Sequence, residues 1–168
     1  MAALAFDPEG RILAVVGGDG ARQVKFCDVK TGERLPMTID NVFPGTRLVT
    51  ELLYSKNGKL LAVRGSGPGA ACTFDAATGK RLADVGIPTE SMRSLDFNRD
   101  ASLIATTSTE SRVHIWDAAT GKKLHTFGDF DVPIMTVAFH PDNRRLAIGG
   151  GGGLVQILEL PESILQGR

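Results

Sequence analysis

The chain has 168 residues, of which 19 are basic and 19 acidic, for a formal net charge of zero. That length suits one domain with a real core, and the neutral balance argues against a nucleic-acid partner, which draws on a basic patch. Twenty glycines and few aromatics fit many short strands joined by tight turns.

In chain order, the first segment is LAFDPEGRILAVVGG. Leu4 and Phe6 alternate on one face, a Pro-Glu-Gly turn follows, and an apolar run ends at Gly17. Period-two alternation marks a strand with one face against a core, and the turn residues close a hairpin. A third strand, QVKFCD, ends in Asp28; Thr31-Gly32 then turns the chain into a fourth opened by Leu35.

The same order returns three times. The aromatics Phe6, Tyr54, Phe97 and Phe139 are spaced 48, 43 and 42 residues apart. Leu4, Leu52, Leu95 and Val137 stand two residues before them. Second strands carry Leu13-Ala14, Leu61-Ala62, Ile104-Ala105 and Leu146-Ala147. Third strands close on Asp28, Asp75, Asp117 and Glu159. The turns DVKTGERL, DAATGKRL and DAATGKKL contribute Thr31-Gly32, Thr78-Gly79 and Thr120-Gly121, ahead of Leu35, Leu82 and Leu124. The fourth unit, VQILELPESIL, lacks this turn. A repeat of about 42 residues built of four antiparallel strands cannot bury both faces alone, and stacking such sheets radially covers them. The expected fold is all-β, with β-propeller blades at about 1–43, 44–88, 89–130 and 131–168.

VHIWDAATGKKLHTF and VAFHPDNRRLAIGG resemble the WD repeat β-propeller family: an aromatic with a Pro-Asp turn, an apolar strand, then Trp-Asp and a Thr-Gly turn. The resemblance covers nearly the whole chain. The quinoprotein-like repeats also use Thr-Gly turns but place Trp after them, whereas Trp116 precedes, which ranks them second. The WD family's Gly-His ahead of each first strand is absent here, and Trp116 has Cys27, Phe74 and Leu158 as counterparts. The family's buried His-Ser-Trp-Asp hydrogen-bond network is therefore not expected in its usual form. Four repeats without a closing strand imply an incomplete or open ring, with end faces that favour self-association.

Carboxylates in one repeat register, Asp28, Asp75 and Asp117, are expected to accept backbone N–H groups in the turns rather than to form an acid–base pair. Thr31, Thr78, Thr120, Gly32, Gly79 and Gly121 complete those turns. The runs GGGGG (149–153) and GSGPGAA (65–71) read as loops between second and third strands, since a phosphate cradle needs Gly-Lys-Ser/Thr opening a helix. Cys27 and Cys72 form no CxxC pair and read as small buried hydrophobes, with neither a zinc site nor a disulfide framework. His114, His125 and His140 fall in different repeat slots without a nucleophile beside them. No catalytic residue, cofactor or metal is expected.

The resemblance places two loop types on one face that often serves the family for binding: those before each first strand and those joining second to third strands. Arg47 and Arg93 belong to the former, and Arg22, Arg64 and Arg112 to the latter, with Glu90 among the interleaved acids. This rim suits an acidic peptide, because Arg forks onto carboxylates, and Phe130 offers an apolar anchor. The resulting expectation is a non-catalytic scaffold that binds a protein or peptide. The alternative is a C-terminal or truncated propeller segment of a larger multidomain signalling protein, for example kinase- or protease-linked, with a propeller enzyme third. No stretch approaches the ~18 apolar residues of a membrane span. Asp7, Glu9 and Arg11 also break the N-terminal apolar run, so no membrane partner and a cytoplasmic location are expected.

Overall fold

The computed structural model describes residues 3–17, 22–43, 48–128 and 130–165. Four antiparallel sheets follow one another along the chain, each a simple meander. The first contains β1 (Ala3–Phe6), β2 (Ile12–Val16), β3 (Val24–Asp28) and β4 (Arg34–Ile39). The second contains β5 (Val49–Tyr54), β6 (Leu60–Gly65), β7 (Ala71–Asp75) and β8 (Arg81–Asp84). The third contains β9 (Met92–Phe97), β10 (Leu103–Ser108), β11 (Val113–Asp117) and β12 (Lys123–Phe127). The fourth has three strands, β13 (Ile134–Phe139), β14 (Arg145–Gly150) and β15 (Val155–Glu159), followed by a one-turn helix α1 (Glu162–Leu165).

The ladders hold the repeat in register. Phe6 faces Leu13, which faces Cys27; the same rows join Tyr54, Leu61 and Phe74, then Phe97, Ile104 and Trp116. In the last sheet the row is Phe139, Leu146 and Leu158. Cys27, Phe74 and Leu158 therefore occupy the slot of Trp116. The third slot varies in size while the first stays aromatic, so each sheet keeps one wide apolar row to set against its neighbour.

Three apolar cores result, one between each pair of successive sheets. Phe26, Val16 and Val24 of the first sheet meet Leu61, Val63 and Phe74 of the second. Ala62, Ala71 and Val85 meet Phe97, Ile104 and Trp116. Leu103, Val113 and Ile115 meet Phe139, Leu146 and Ile148. Each fully buried side chain of this kind contributes roughly 1.5–3 kcal/mol. Polar bonds cross the same boundaries: Thr73 Oγ1 donates to the Ala118 carbonyl at 2.8 Å, and the Phe139 N–H donates to Asp96 Oδ2 at 2.7 Å. Among the described residues, no core joins the last sheet to the first.

Several details differ from the sequence reading. The fourth strands start one residue early, at Arg34, Arg81 and Lys123. Gly149 and Gly150 are the last residues of β14, and only Gly151–Gly153 form the turn. A Cβ on Gly150 would come within 2.7 Å of the Pro133 carbonyl, so close backbone approach explains the strand glycine. Cys72 is buried, but Cys27 is only half-buried. The helix α1 was not anticipated; it carries Ile164 into the third core. The chain enters it by a register shared with the other sheets. The Leu160 N–H donates to the Arg144 carbonyl, just as Val29, Ala76 and Ala118 donate to Arg11, Lys59 and Ser102.

Candidate protein-binding face

The recurring acids act on their own turns. Asp75 Oδ1 accepts the Thr78 N–H at 2.8 Å and the Thr78 hydroxyl at 2.7 Å; Asp117 Oδ1 accepts the same groups of Thr120 at 2.9 and 2.8 Å. Asp28 Oδ1 accepts the Thr31 N–H at 2.8 Å. Bonds from Thr78 hold the Asp75 carboxyl below its ordinary range, and the Thr31 N–H lowers that of Asp28. The glycines that follow take φ of 73°, 70° and 69° at Gly32, Gly79 and Gly121, the left-handed region that glycine enters without strain.

Position along the chain gives these similar turns different surroundings. A Cβ on Gly121 would stand 2.5 Å from the Asp84 carbonyl oxygen, and one on Gly79 would stand 3.3 Å from Ile39. Each turn thus leans on the outer strand of the preceding sheet. Gly32 lies in the first described sheet, and nothing lies within 4 Å of its Cβ position.

On the loop face the basic residues are not equivalent. Arg22 is exposed in the loop before β3, whereas Arg93 and Arg64, expected in loops, lie within β9 and β6 because those strands run further into the loops than the repeat pattern marks; Arg93 is exposed there. Arg64 is engaged: Nε donates to Glu51 Oε2 at 2.7 Å, and Nη1 reaches the Met92 carbonyl at 3.3 Å, tying the second sheet to the third. Arg112 is half-exposed, with Nη1 3.3 Å from Glu90 Oε1. Arg47 lies outside the described residues. Glu90 is not an exposed rim acid but a buried one. Its Oε2 is 3.1 Å from His114 Nε2, and His114 Nδ1 is 2.9 Å from Thr126 Oγ1. Both contacts are satisfied when Nε2 carries the proton, donating to Glu90, and Nδ1 accepts from Thr126.

Burial pushes the Glu90 carboxyl up, but bonds from Ser108 and His114 and the charge of Arg112 together hold it below its ordinary value. Burial lowers the His114 imidazole more than the Glu90 carboxylate raises it, so the ring is neutral near pH 7 and the standing charge pair is Glu90 with Arg112. Burial also pushes the Cys72 thiol up to about 12, which leaves it protonated and inert.

Phe130 is half-buried and packs on the third core together with Leu154. With Val132 and the three-glycine turn these residues line an open cleft of about 590 Å³. Gly128 lies on its border, and a Cβ there would stand 3.9 Å from Arg112 Cγ, so the arginine stem flanks the cleft. Asp131 supplies an acid to the same lining. Among the described residues, no three His, Cys, Asp or Glu side chains gather as a metal site would require.

Residues 84–117 and 121–157 match the family model WD domain, G-beta repeat. WD repeat-containing protein 82 of Drosophila melanogaster is 31% identical over 152 residues, covering 85% of this chain and 46% of that protein. The chain belongs to the WD repeat family. The Retinoblastoma-binding protein 5 homolog of the same organism is 30% identical over 117 residues, covering 68% of this chain and 24% of its own length. The chain therefore spans less than half the length of these WD relatives. The crystal structure of the computationally designed Ika4 protein superposes with a TM-score of 0.74 at 20% identity, over 95% of this chain and 90% of that one. It shares the fold.

Within the WD family pattern, the buried network takes an altered form. Half of the family's arrangement is present: Trp116 Nε1 donates to Thr106 Oγ1 at 2.8 Å, with threonine in the serine's place. The histidine side is rebuilt with roles exchanged. The loop ahead of β9 contributes the acid, Glu90, and β11 contributes the histidine, His114. The ring of His114 also meets the Trp116 indole edge-on at 5.8 Å. Sequence reasoning missed this pair because its members stand 24 residues apart. The available signal was a lone Glu in the slot where the family keeps a histidine.

Proposed function

We propose that this chain is a non-catalytic interaction module that holds a protein or peptide on its loop face. Phe130, Val132 and Leu154 supply the apolar contact, Arg112 flanks them, and Arg93 is an exposed cation near the start of β9. The observation that carries the reading is the cleft itself: three apolar side chains line it beside Gly151–Gly153, a run that carries no side chains of its own. Apolar centres with a charged rim are the usual anatomy of such surfaces. The WD relatives support the coarse role, one of them carrying protein binding in its name. The two acids of the first strands are both engaged, Glu51 by Arg64 and Asp96 by the Phe139 N–H, which favours a structural use over a catalytic one.

A second reading rests on the coverage of 46%: in a longer parent chain, these blades are one segment of a multidomain protein, and the cleft serves that assembly. A separate proposal is association between copies through the end sheets, where Leu4, Phe6, Val155 and Ile157 are exposed.

Selection of a peptide library on the immobilised chain tests the loop-face reading. Enriched peptides are expected to lose about tenfold or more in affinity, ~1.4 kcal/mol, on Phe130→Ala or Leu154→Ala. Arg93→Glu should shift the selection away from acidic sequences, while Arg112 stays in place because it pairs with the buried Glu90. Arg64 is a poor probe, because it braces two sheets. Peptides that bind wild type and the cleft variants equally would place the site elsewhere, and a selection without enrichment would remove the reading.

A further inference from the structure

The repeat makes an internal comparison possible. In three sheets, the residue two before the first-strand aromatic and the aromatic itself are at most 9% exposed: Leu52 and Tyr54, Leu95 and Phe97, Val137 and Phe139. In the first sheet the same positions, Leu4 and Phe6, are 62% and 55% exposed. At the other end the disparity repeats on the opposite face. Val24, Ala71 and Val113 are 0% exposed, as are Phe26, Thr73 and Ile115. Their counterparts in the fourth sheet, Val155 and Ile157, are 80% and 58% exposed.

These two faces are the two sides of one missing boundary. At each internal boundary, the face with the large first-strand pair covers a neighbour whose second strand presents a small residue: Ala14, Ala62 or Ala105. The fourth sheet presents Ala147 at that position, beside Ala138 and Gly149, around a shallow, mostly apolar groove of about 210 Å³. The first sheet presents the matching large row, Phe6, Leu13 and Cys27. Within one molecule the two faces do not meet, since both are exposed.

We infer that a second copy of this chain closes them, the fourth sheet of each copy seating the first sheet of the other. A face that differs from its complement makes head-to-tail contacts, and such contacts either close a ring or run on as a filament. Two copies of four sheets give eight, the upper end of the common propeller range, and a third copy would overshoot it. This inference builds on the association included in the proposed function but not on the loop-face cleft.

Light scattering of the full chain across a concentration series tests it, with about twice the 17.9 kDa of one chain expected. Phe6→Arg and Ile157→Arg lie at exposed positions and should each give a folded monomer by circular dichroism. Mixed together they should regain a dimer, because one copy keeps an intact first sheet and the other an intact fourth. Cys27 reports independently. It lies in the row of Phe6, so its alkylation should be about tenfold slower in wild type than in Ile157→Arg. A folded wild-type monomer would overturn the inference. So would a dimer that survives Phe6→Arg, or an open ladder of longer oligomers. Phe130→Ala should leave the dimer unchanged and separates this inference from the loop-face reading.

Discussion

Trp116 donates its indole N–H to the Thr106 hydroxyl across 2.8 Å, inside the core that the second and third sheets share. Replacing the hydroxyl with a methyl group in Thr106→Val keeps the shape and leaves a buried N–H unpaired, a cost of about 1–3 kcal/mol. Trp116→Phe removes the donor and part of the ring, and its cost should exceed that of Thr106→Val. The double variant should lose less than the sum of the two singles. Urea midpoints at one fixed protein concentration measure all three.

Acid should loosen the third sheet. The His114 imidazole is held below its ordinary value of 6.5 by burial, so below that pH the unfolded chain takes up a proton that the folded chain refuses. The Glu90 carboxyl is likewise lowered from 4.5, in the same direction: its contribution stands above the ordinary value and fades as pH falls through the folded one. Stability therefore rises with pH across this window, since the unfolded state holds more protons there. Melting temperature is expected to drop from pH 7 to pH 5, and to drop less in His114→Gln. Equal slopes in both proteins would remove His114 as the cause.

Two glycines with nearly the same backbone angle should respond differently to alanine. Gly32 and Gly121 have φ of 73° and 69°, so each substitution carries the left-handed penalty of roughly 1–2 kcal/mol. At Gly121 the added methyl also meets the Asp84 carbonyl oxygen at 2.5 Å, whereas at Gly32 it enters open space. Gly121→Ala should lower the melting temperature clearly more than Gly32→Ala. Matching shifts would mean that the turn of the third sheet does not press on the second.

One substitution should stabilise. The Thr107 hydroxyl is buried and has no hydrogen-bond partner among the described residues. Thr107→Val exchanges it for a methyl group of the same shape and should add about 1 kcal/mol. A loss of stability would show that the hydroxyl has a partner.

The blades were legible because their signals are local. Leu4 with Phe6 is a two-residue pattern, and Asp117 with Thr120 and Gly121 is a five-residue turn; neither depends on distant chain. Glu90 was misread as a rim acid for the opposite reason. Its burial is set by His114, Arg112 and Ser108, all on strands or turns well beyond its own loop. Arg64 has the same origin: it looks free until the Met92 carbonyl, 28 residues on, is brought beside it. The helix α1 escaped notice because four residues carry too little periodicity, and it is fixed by Ile164 reaching a core rather than by helix propensity.

Among the described residues, each of the three apolar cores belongs to only two sheets, and no residue cluster is common to all four. Adding a repeat would add one core without disturbing the others, and deleting one would remove a single core. Gene duplication that adds whole repeats at an end therefore lengthens such a chain in folded steps, each intermediate keeping every boundary it already had.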